Sequence, residues 1–379
     1  MQVLVLGAGQ LARMMALDSA PLGIEIRAYD VRSHRVVHPL TWHDYGDDLA
    51  SGLAKSDVVT AEFEHIPPDI LAAAEASNKF LPGAEAIRVG GDRRLEKALL
   101  DKVQVANAPH RIIASKEDLL NATDTIGLPL VLKSALDGYD GKGQWRLKEA
   151  SEIDNLWLEL DRFLADNRED QAIIAEAWIP FDREVSLVGV RDNKGFSHCY
   201  ALTQNHHHDG ILILSVAPIA SDSLQQQAEE AFEKIADELN YVGVLAIEFF
   251  AVGNDLLVNE LAPRVHNSGH WTQQGTLCSQ FENHIRAVSG LPIGPTQTTH
   301  PTAMVNLIGV SEIPAASYDM SEVHPHWYDK EARPGRKMGH LNLVSDELET
   351  DLHKLIQLLD PDHYPGLRAA CDKQYPIRT

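Results

Sequence analysis

Two carboxylates set among apolar residues are the first feature that asks for chemistry. Glu248 interrupts the apolar run over 242–250, and Glu260 closes the run Leu256-Leu257-Val258-Asn259. Between them lies Gly253-Asn254-Asp255, a turn-like triplet. If all three residues form the loop, strand pairing sets Glu248 directly opposite Glu260. A two-residue turn at Gly253-Asn254 displaces them by one position. Carboxylates that face each other in an apolar sheet repel and are poorly solvated unless a cation lies between them. Mg²⁺ suits such a place, because it takes one or two carboxylates together with phosphate oxygens. The alternative, both side chains pointing to solvent, is disfavoured by the apolar residues around them.

Lys133 ends the strand-like run Pro129-Leu130-Val131-Leu132, an awkward place for a charge with no partner. The segment Gly138-Tyr139-Asp140-Gly141-Lys142-Gly143-Gln144 follows, with three glycines in six residues and a lysine inside. Such a loop can fold over phosphates. It also fits a surface hairpin with a snorkelling lysine. Directly after Glu260 come Arg264, His266, Asn267, Ser268, Gly269 and His270, residues able to hold a metal and an anion side by side. Lys330, Arg333, Arg336 and Lys337 put four cations into eight residues, a phosphate clamp or a solvated loop. Gly7-Ala8-Gly9-Gln10-Leu11-Ala12, with Asp30 farther on, fits a dinucleotide fingerprint. The same pattern recurs in α/β domains that bind no dinucleotide. His206-His207-His208 with Asp209 lacks a second ligand cluster at zinc-like spacing.

Three predicted regions must position these residues. Strands at 3–6, 24–29 and 58–63 alternate with helices, which implies a parallel sheet in an N-terminal α/β domain over 1–91. A second unit over 92–180 opens on a helix capped by Asp92 and contains strands at 111–114, 129–133 and 172–176 around the glycine-rich loop. The third, over 181–379, reads as antiparallel, with strands at 184–191, 196–202 and 212–217, a helix over 224–239, and a C-terminal subregion ending in a helix over 347–359.

The bulk composition narrows the class. A net charge of −22 argues against nucleic acid as a partner. Three scattered cysteines, no basic leader and no membrane-length apolar run point to a cytoplasmic protein.

Taken in order, these stretches resemble the 5-(carboxyamino)imidazole ribonucleotide synthases, a family of the ATP-grasp superfamily. The resemblance runs from the opening glycine motif to about Leu343. It is most specific at 138–144, 259–272, 326–330 and 333–337. It implies an α/β ATP-grasp fold: a Rossmann-like domain that binds no NAD, a small α/β lid, and a larger domain built on a mixed antiparallel sheet. It implies ATP as co-substrate, Mg²⁺ as cofactor, and carboxylation of 5-aminoimidazole ribonucleotide by bicarbonate through carboxyphosphate. It also implies a homodimer acting on small molecules, with no membrane partner.

By the same resemblance Glu248 and Glu260 hold the metal, with Asn259 beside them. Arg93, Lys133 and the loop Gly138, Tyr139, Asp140, Gly141, Lys142, Gly143 and Gln144 meet the phosphates. Glu176, Ala177, Trp178, Ile179 and Glu184 match adenine and ribose contacts, and His207, with a histidine on either side, a further nucleotide contact. Arg264 would stabilise carboxyphosphate. Asp140, Asn267, Ser268, Gly269 and His270 would meet the imidazole ribonucleotide, Lys330 and Arg336 its phosphate, and Gln10 and Glu62 would close that pocket. Lys330, Asp140 and His270 join Arg264 as catalytic candidates. Two alternatives remain at this stage: another ATP-grasp ligase, such as a formate-dependent glycinamide ribonucleotide transformylase, and an NAD-dependent oxidoreductase.

Overall fold

The computed structural model describes residues 1–136, 143–166, 171–359 and 362–375. The N-terminal layer runs β1 (Gln2–Leu6), α1 (Gln10–Ser19), β2 (Glu25–Asp30), β3 (Arg35–Val37), α2 (Leu49–Lys55), β4 (Val58–Ala61), α3 (Pro68–Ala76) and α4 (Ala84–Gly91). Its sheet has the order β3-β2-β1-β4, parallel except at the β3 edge. Alternation along β1 serves two faces. Val3 and Val5 share a core with α1, while Leu4 and Leu6 pack with Leu53, Ile70 and Leu71 on the other side.

The lid follows as α5 (Arg93–Lys102), β5 (His110–Ile113), α6 (Lys116–Ile126), β6 (Leu130–Ser134), β7 (Gln144–Leu147), α7 (Ile153–Asp166) and β8 (Ile173–Ala177). Its antiparallel sheet, order β5-β8-β6-β7, packs on α6 and α7 around its own apolar core. Helix α5 does not belong to that core: Leu99 and Leu100 pack with α4 and with the large sheet beyond.

That sheet carries β9 (Arg183–Arg191), β10 (Ser197–Cys199), β11 (Thr203–His208) and β12 (Ile211–Ala217). After α8 (Asp222–Glu238) come β13 (Gly243–Val252) and β14 (Asp255–Ala262). After α9 (Thr272–Gly275) and α10 (Gln280–Val288) come β15 (Thr302–Ile308), β16 (Val323–Trp327) and β17 (Lys337–Val344). Nine antiparallel strands run β14-β13-β9-β11-β12-β15-β17-β16, with β10 beside β9. The C-terminal subregion thus extends the same sheet, covered by α11 (Leu348–Leu358) and α12 (Leu367–Gln374). The sequence expectations fall short here: β15, β16 and β17 were not foreseen in the C-terminal subregion. The strand expected over 196–202 shrinks to 197–199, and β11 was not anticipated, because its polar Gln-Asn-His run lacks the apolar alternation that marks a half-buried strand.

Candidate active site

The two carboxylates stand opposite each other, but not by the simple route. The turn is the two-residue one: Val252 pairs with Asp255, and the register continues in step to Phe249 with Val258. One extra residue on β14, Asn259, then forms a bulge, and Glu248 comes to face Glu260. The bulge therefore restores the opposition that the short turn would have lost. It also turns Asn259 to accept from Lys133 Nζ at 3.2 Å. Burial first, and then the charges of Glu260 and Glu184 against a counteracting His207, push the Glu248 carboxyl up to about 7. His266 Nε2 lies 3.7 Å from Glu248, and Arg93 reaches Glu260 at 3.1 Å. Arg93 is held at the start of α5, where the Asp92 carboxylate caps the helix by accepting from Arg94 N–H at 2.9 Å. A half-buried carboxylate pair with one neighbouring amide oxygen is a donor set that suits Mg²⁺.

These residues form the floor of a cleft of about 460 Å³ between the lid and the large sheet. From the lid, Lys133 binds Glu176 at 2.7 Å, and the buried Lys97 of α5 binds the same carboxylate at 3.1 Å. Burial opposes the Glu176 charge, but Lys133, Lys97 and Arg93 outweigh it and hold its pKa far below the usual range. Ala177, Trp178 and Ile179 continue the cleft wall. The N–H groups of Ala177 and Trp178 donate to the Pro109 and Pro129 carbonyls, so they are not open to a base edge. The Arg146 guanidinium lies 5.1 Å from the Trp178 ring centre, and Phe181 stacks on Phe250 with ring centres 4.5 Å apart. Glu184 meets His207 Nδ1 at 2.9 Å inside the cleft. His206 instead turns into the protein, and His208 lies against Asp209, so of the three histidines His207 faces the cleft. Gly143 and Gln144 line the lid side. Gly138, Tyr139, Asp140, Gly141 and Lys142 lie outside the described residues.

The acceptor side departs further from expectation. Arg264 lines the cleft and makes a two-point pair with Glu64, at 2.5 and 3.1 Å. Asn267 also lines it, exchanging side-chain hydrogen bonds with Asn306. Ser268, Gly269 and His270 do not: all three are buried. Ser268 accepts from Ser186 at 2.8 Å, and His270 sits among Gln280, Phe281 and His340. They hold the turn that presents Asn267, and they do not face the cleft. Lys330 Nζ donates to Gln10 Oε1, joining the C-terminal subregion to the N-terminal loop. Arg336 donates to the Glu331 carbonyl at 2.9 Å. Glu64, Lys97 and Arg146 reach the site without having been assigned there, and Lys337 of the expected phosphate clamp also lines the cleft. Glu64 carries the one available signal, a carboxylate just past the carboxyl end of a parallel strand. Lys97 looks like any polar helix residue.

Glu62 decides the dinucleotide alternative. Its carboxylate accepts from the Gly9 and Ala12 N–H groups, the latter at 2.9 Å, and so occupies the anion position at the start of α1. It packs on the glycines so closely that a Cβ on Gly7 would lie 2.4 Å from its Cγ. The pyrophosphate place is filled by the chain itself, and Glu62, turned to α1, does not line the cleft.

A lid sheet over a large antiparallel sheet, with lysines above and a carboxylate pair below, defines an ATP-grasp ligase. Family profiles agree: an ATP-grasp domain matches residues 98–281, a ribonucleotide synthetase pre-ATP-grasp domain 1–90, and a phosphoribosylaminoimidazole carboxylase C-terminal domain 302–354. The chain is 55% identical over 379 residues to the N5-carboxyaminoimidazole ribonucleotide synthase of Vibrio cholerae, covering 99% of this chain and all of that one. It is 40% identical to the enzyme of that name from Escherichia coli, covering 97% of both. The crystal structure of the Thermus thermophilus synthetase superposes with a TM-score of 0.84 at 39% identity, covering 94% of this chain and 98% of that one. The Aspergillus clavatus synthase, solved with ADP and 5-aminoimidazole ribonucleotide, gives 0.79 at 29%, covering 94% and 98%. The chain belongs to the N5-carboxyaminoimidazole ribonucleotide synthase family.

Proposed function

We propose that this ligase carboxylates the exocyclic amine of 5-aminoimidazole ribonucleotide with bicarbonate, spending ATP to ADP and phosphate. The observation that carries the reading is the bulge-corrected opposition of Glu248 and Glu260 beneath Lys133 and Arg93. Glu248 and Glu260, with Asn259 alongside, would hold Mg²⁺, which supplies charge neutralisation at the phosphate oxygens. Phosphoryl transfer needs position and neutralised charge more than covalent help, and Arg93 and Lys133, both above the carboxylate pair, offer both. Glu184 and His207 take the ribose end, between Ile179 and the Phe181–Phe250 stack. Bicarbonate oxygen attacks the terminal phosphorus, ADP leaves, and carboxyphosphate results. The Arg264 guanidinium, locked by Glu64, stabilises that anion as the amine attacks its carboxyl carbon and phosphate departs. Asn267 orients the imidazole ribonucleotide, while Lys330 and Arg336 hold its phosphate, Gln10 fixing the Lys330 ammonium. Asp140 and the glycine-rich loop close over the phosphates and exclude water, which would hydrolyse carboxyphosphate.

We carry two wider expectations with this reading: a cytoplasmic enzyme, and a homodimer, which sedimentation would check. The C-terminal profile match favours this acceptor over that of a glycinamide ribonucleotide transformylase. The deciding experiment is ADP release with bicarbonate and ribonucleotide omitted in turn. Release should need both. Release that persists without the ribonucleotide, or that requires formate, overturns the proposed acceptor chemistry.

A further inference from the structure

Helix α12 lies beyond the segment matched by the C-terminal profile, which ends at residue 354. Yet it is firmly seated: Leu367, Ala370 and Cys371 pack with Ile213, Leu214 and Val216 of β12. From there it reaches both neighbours of His207. Gln374 Oε1 lies 2.9 Å from the Nε2 of buried His206. At the other end Gly366, in the left-handed region with φ near 78°, abuts His208 so closely that a Cβ there would lie 2.6 Å from the ring.

The strand between these two contacts needs fixing. Asn205, held by Ser186 and Ser215, fixes the strand up to His206, but a bulge follows and interrupts the regular ladder there. The β11–β12 register already shifts between His206 and His207: His206 pairs with Leu214, but His207 pairs with Leu212. With that shift in place it is the His207 ring that meets Glu184, at 2.9 Å.

We propose that α12 is a register clamp for the nucleotide site, with Gln374 and His206 as positioning residues that keep His207 on Glu184. The inference rests on the nucleotide role proposed above for the Glu184–His207 pair, and not on the identity of the acceptor. Gln374 touches no substrate. It acts through His206, and the backbone carries the effect one residue on.

The test is Mg-ADP binding to the full chain by calorimetry, with no acceptor present. Gln374→Leu should weaken binding roughly three- to tenfold, the scale of one lost hydrogen bond. Gln374→Glu, which keeps an oxygen facing His206 Nε2, should restore it to within about twofold. A merely structural loss would not give the third result: in a His207→Ala background Gln374→Leu should add nothing further. The His207 imidazole ¹⁵N signals should also move in Gln374→Leu. Wild-type affinity in Gln374→Leu, or additive losses in the double variant, overturns the clamp. Failure of the wild type to bind Mg-ADP at all overturns the nucleotide reading beneath it.

Discussion

Two places in this molecule bring a carboxylate against a tight piece of backbone, and they finish differently. At the N-terminal loop, Glu62 is met by fixed donors, the Gly9 and Ala12 N–H groups. The chain supplies both the anion and its hole, although burial still raises the Glu62 carboxyl above its ordinary range. At the β13–β14 bulge, Glu248 and Glu260 meet each other, and the nearest cations, Arg93 and a neutral-leaning His266, each reach only one of them. Burial lowers His266 well below its ordinary range, so it lends little charge. The same side-chain chemistry is thus self-satisfied in one region and left incomplete in the other. The incomplete one is where an external cation has something to do. A glycine-rich loop is therefore weaker testimony to a ligand than an uncompensated pair.

The largest effects should separate the regions cleanly. Glu260→Gln or Glu248→Gln should lower kcat about 10²- to 10³-fold, the usual scale for removing a group aimed at transferring charge. In Glu248→Gln the melting temperature without metal should hold or rise, because one of two facing like charges is gone, whereas Glu260→Gln also loses the Arg93 pair. Steady-state kinetics and calorimetry on the same samples check both halves. Retained activity would dissolve the contrast. Gly7→Ala should do the reverse. Its backbone has φ near 111°, and the new Cβ would collide with Glu62, so denaturant melts should show a loss of about 2–4 kcal/mol. The folded fraction should keep wild-type nucleotide affinity.

Much of this layout could be read from residue order. Glu248 and Glu260 stood out because charge inside an apolar strand is rare, and the Asp92 cap because a helix start has few chemical solutions. Resemblance named more of the site than periodicity could, since Lys133 and Glu176 lie far apart in sequence and meet only when β6 pairs with β8. What stayed hidden were distinctions between neighbours. The sequence could not say that Asn267 faces the cleft while Ser268 and His270 are buried behind it, because a short turn has no period to read. Nor could it foresee that a bulge at Asn259 would undo the offset of a two-residue turn. Strand β11 was invisible because its polar residues satisfy one another inside the sheet, as Asn205 does with Ser186 and Ser215.

The link between the regions gives the next, smaller effect. Burial, with Arg336 acting the same way, lowers Lys330 to about 8 while Gln10 holds its ammonium. Folding therefore favours the neutral amine. The resulting stability cost is fully present below pH 8 and fades as pH rises toward the ordinary 10.5. Phosphate binding has the opposite requirement, because it needs the charge. Log kcat/KM for the ribonucleotide should thus fall with a slope near −1 above about pH 8, tenfold per unit. Lys330→Arg should lack that limb, since guanidinium stays charged. A limb that persists in the arginine variant would assign it to another group.

The smallest effect falls at Asp30, and it closes the dinucleotide question from the other end. In that reading an acidic residue at the end of the second strand holds a ribose, and its loss should abolish cofactor binding. In the structure Asp30 is occupied with its own loop. It accepts from Arg32 N–H and Ser33 N–H at 3.2 Å each, and from the Ser33 hydroxyl at 2.6 Å. These are exposed local bonds that shape the turn after β2, and each is worth little net of solvation. Asp30→Ala should therefore cost about 0.5–1 kcal/mol in a denaturant melt and leave kcat and the KM for ATP within error. NAD should not raise the melting temperature of either protein, whereas Mg-ATP should raise both alike. A wild-type protein stabilised by NAD, with the effect lost in Asp30→Ala, would make the N-terminal loop a ligand site after all, despite the carboxylate already lying in it.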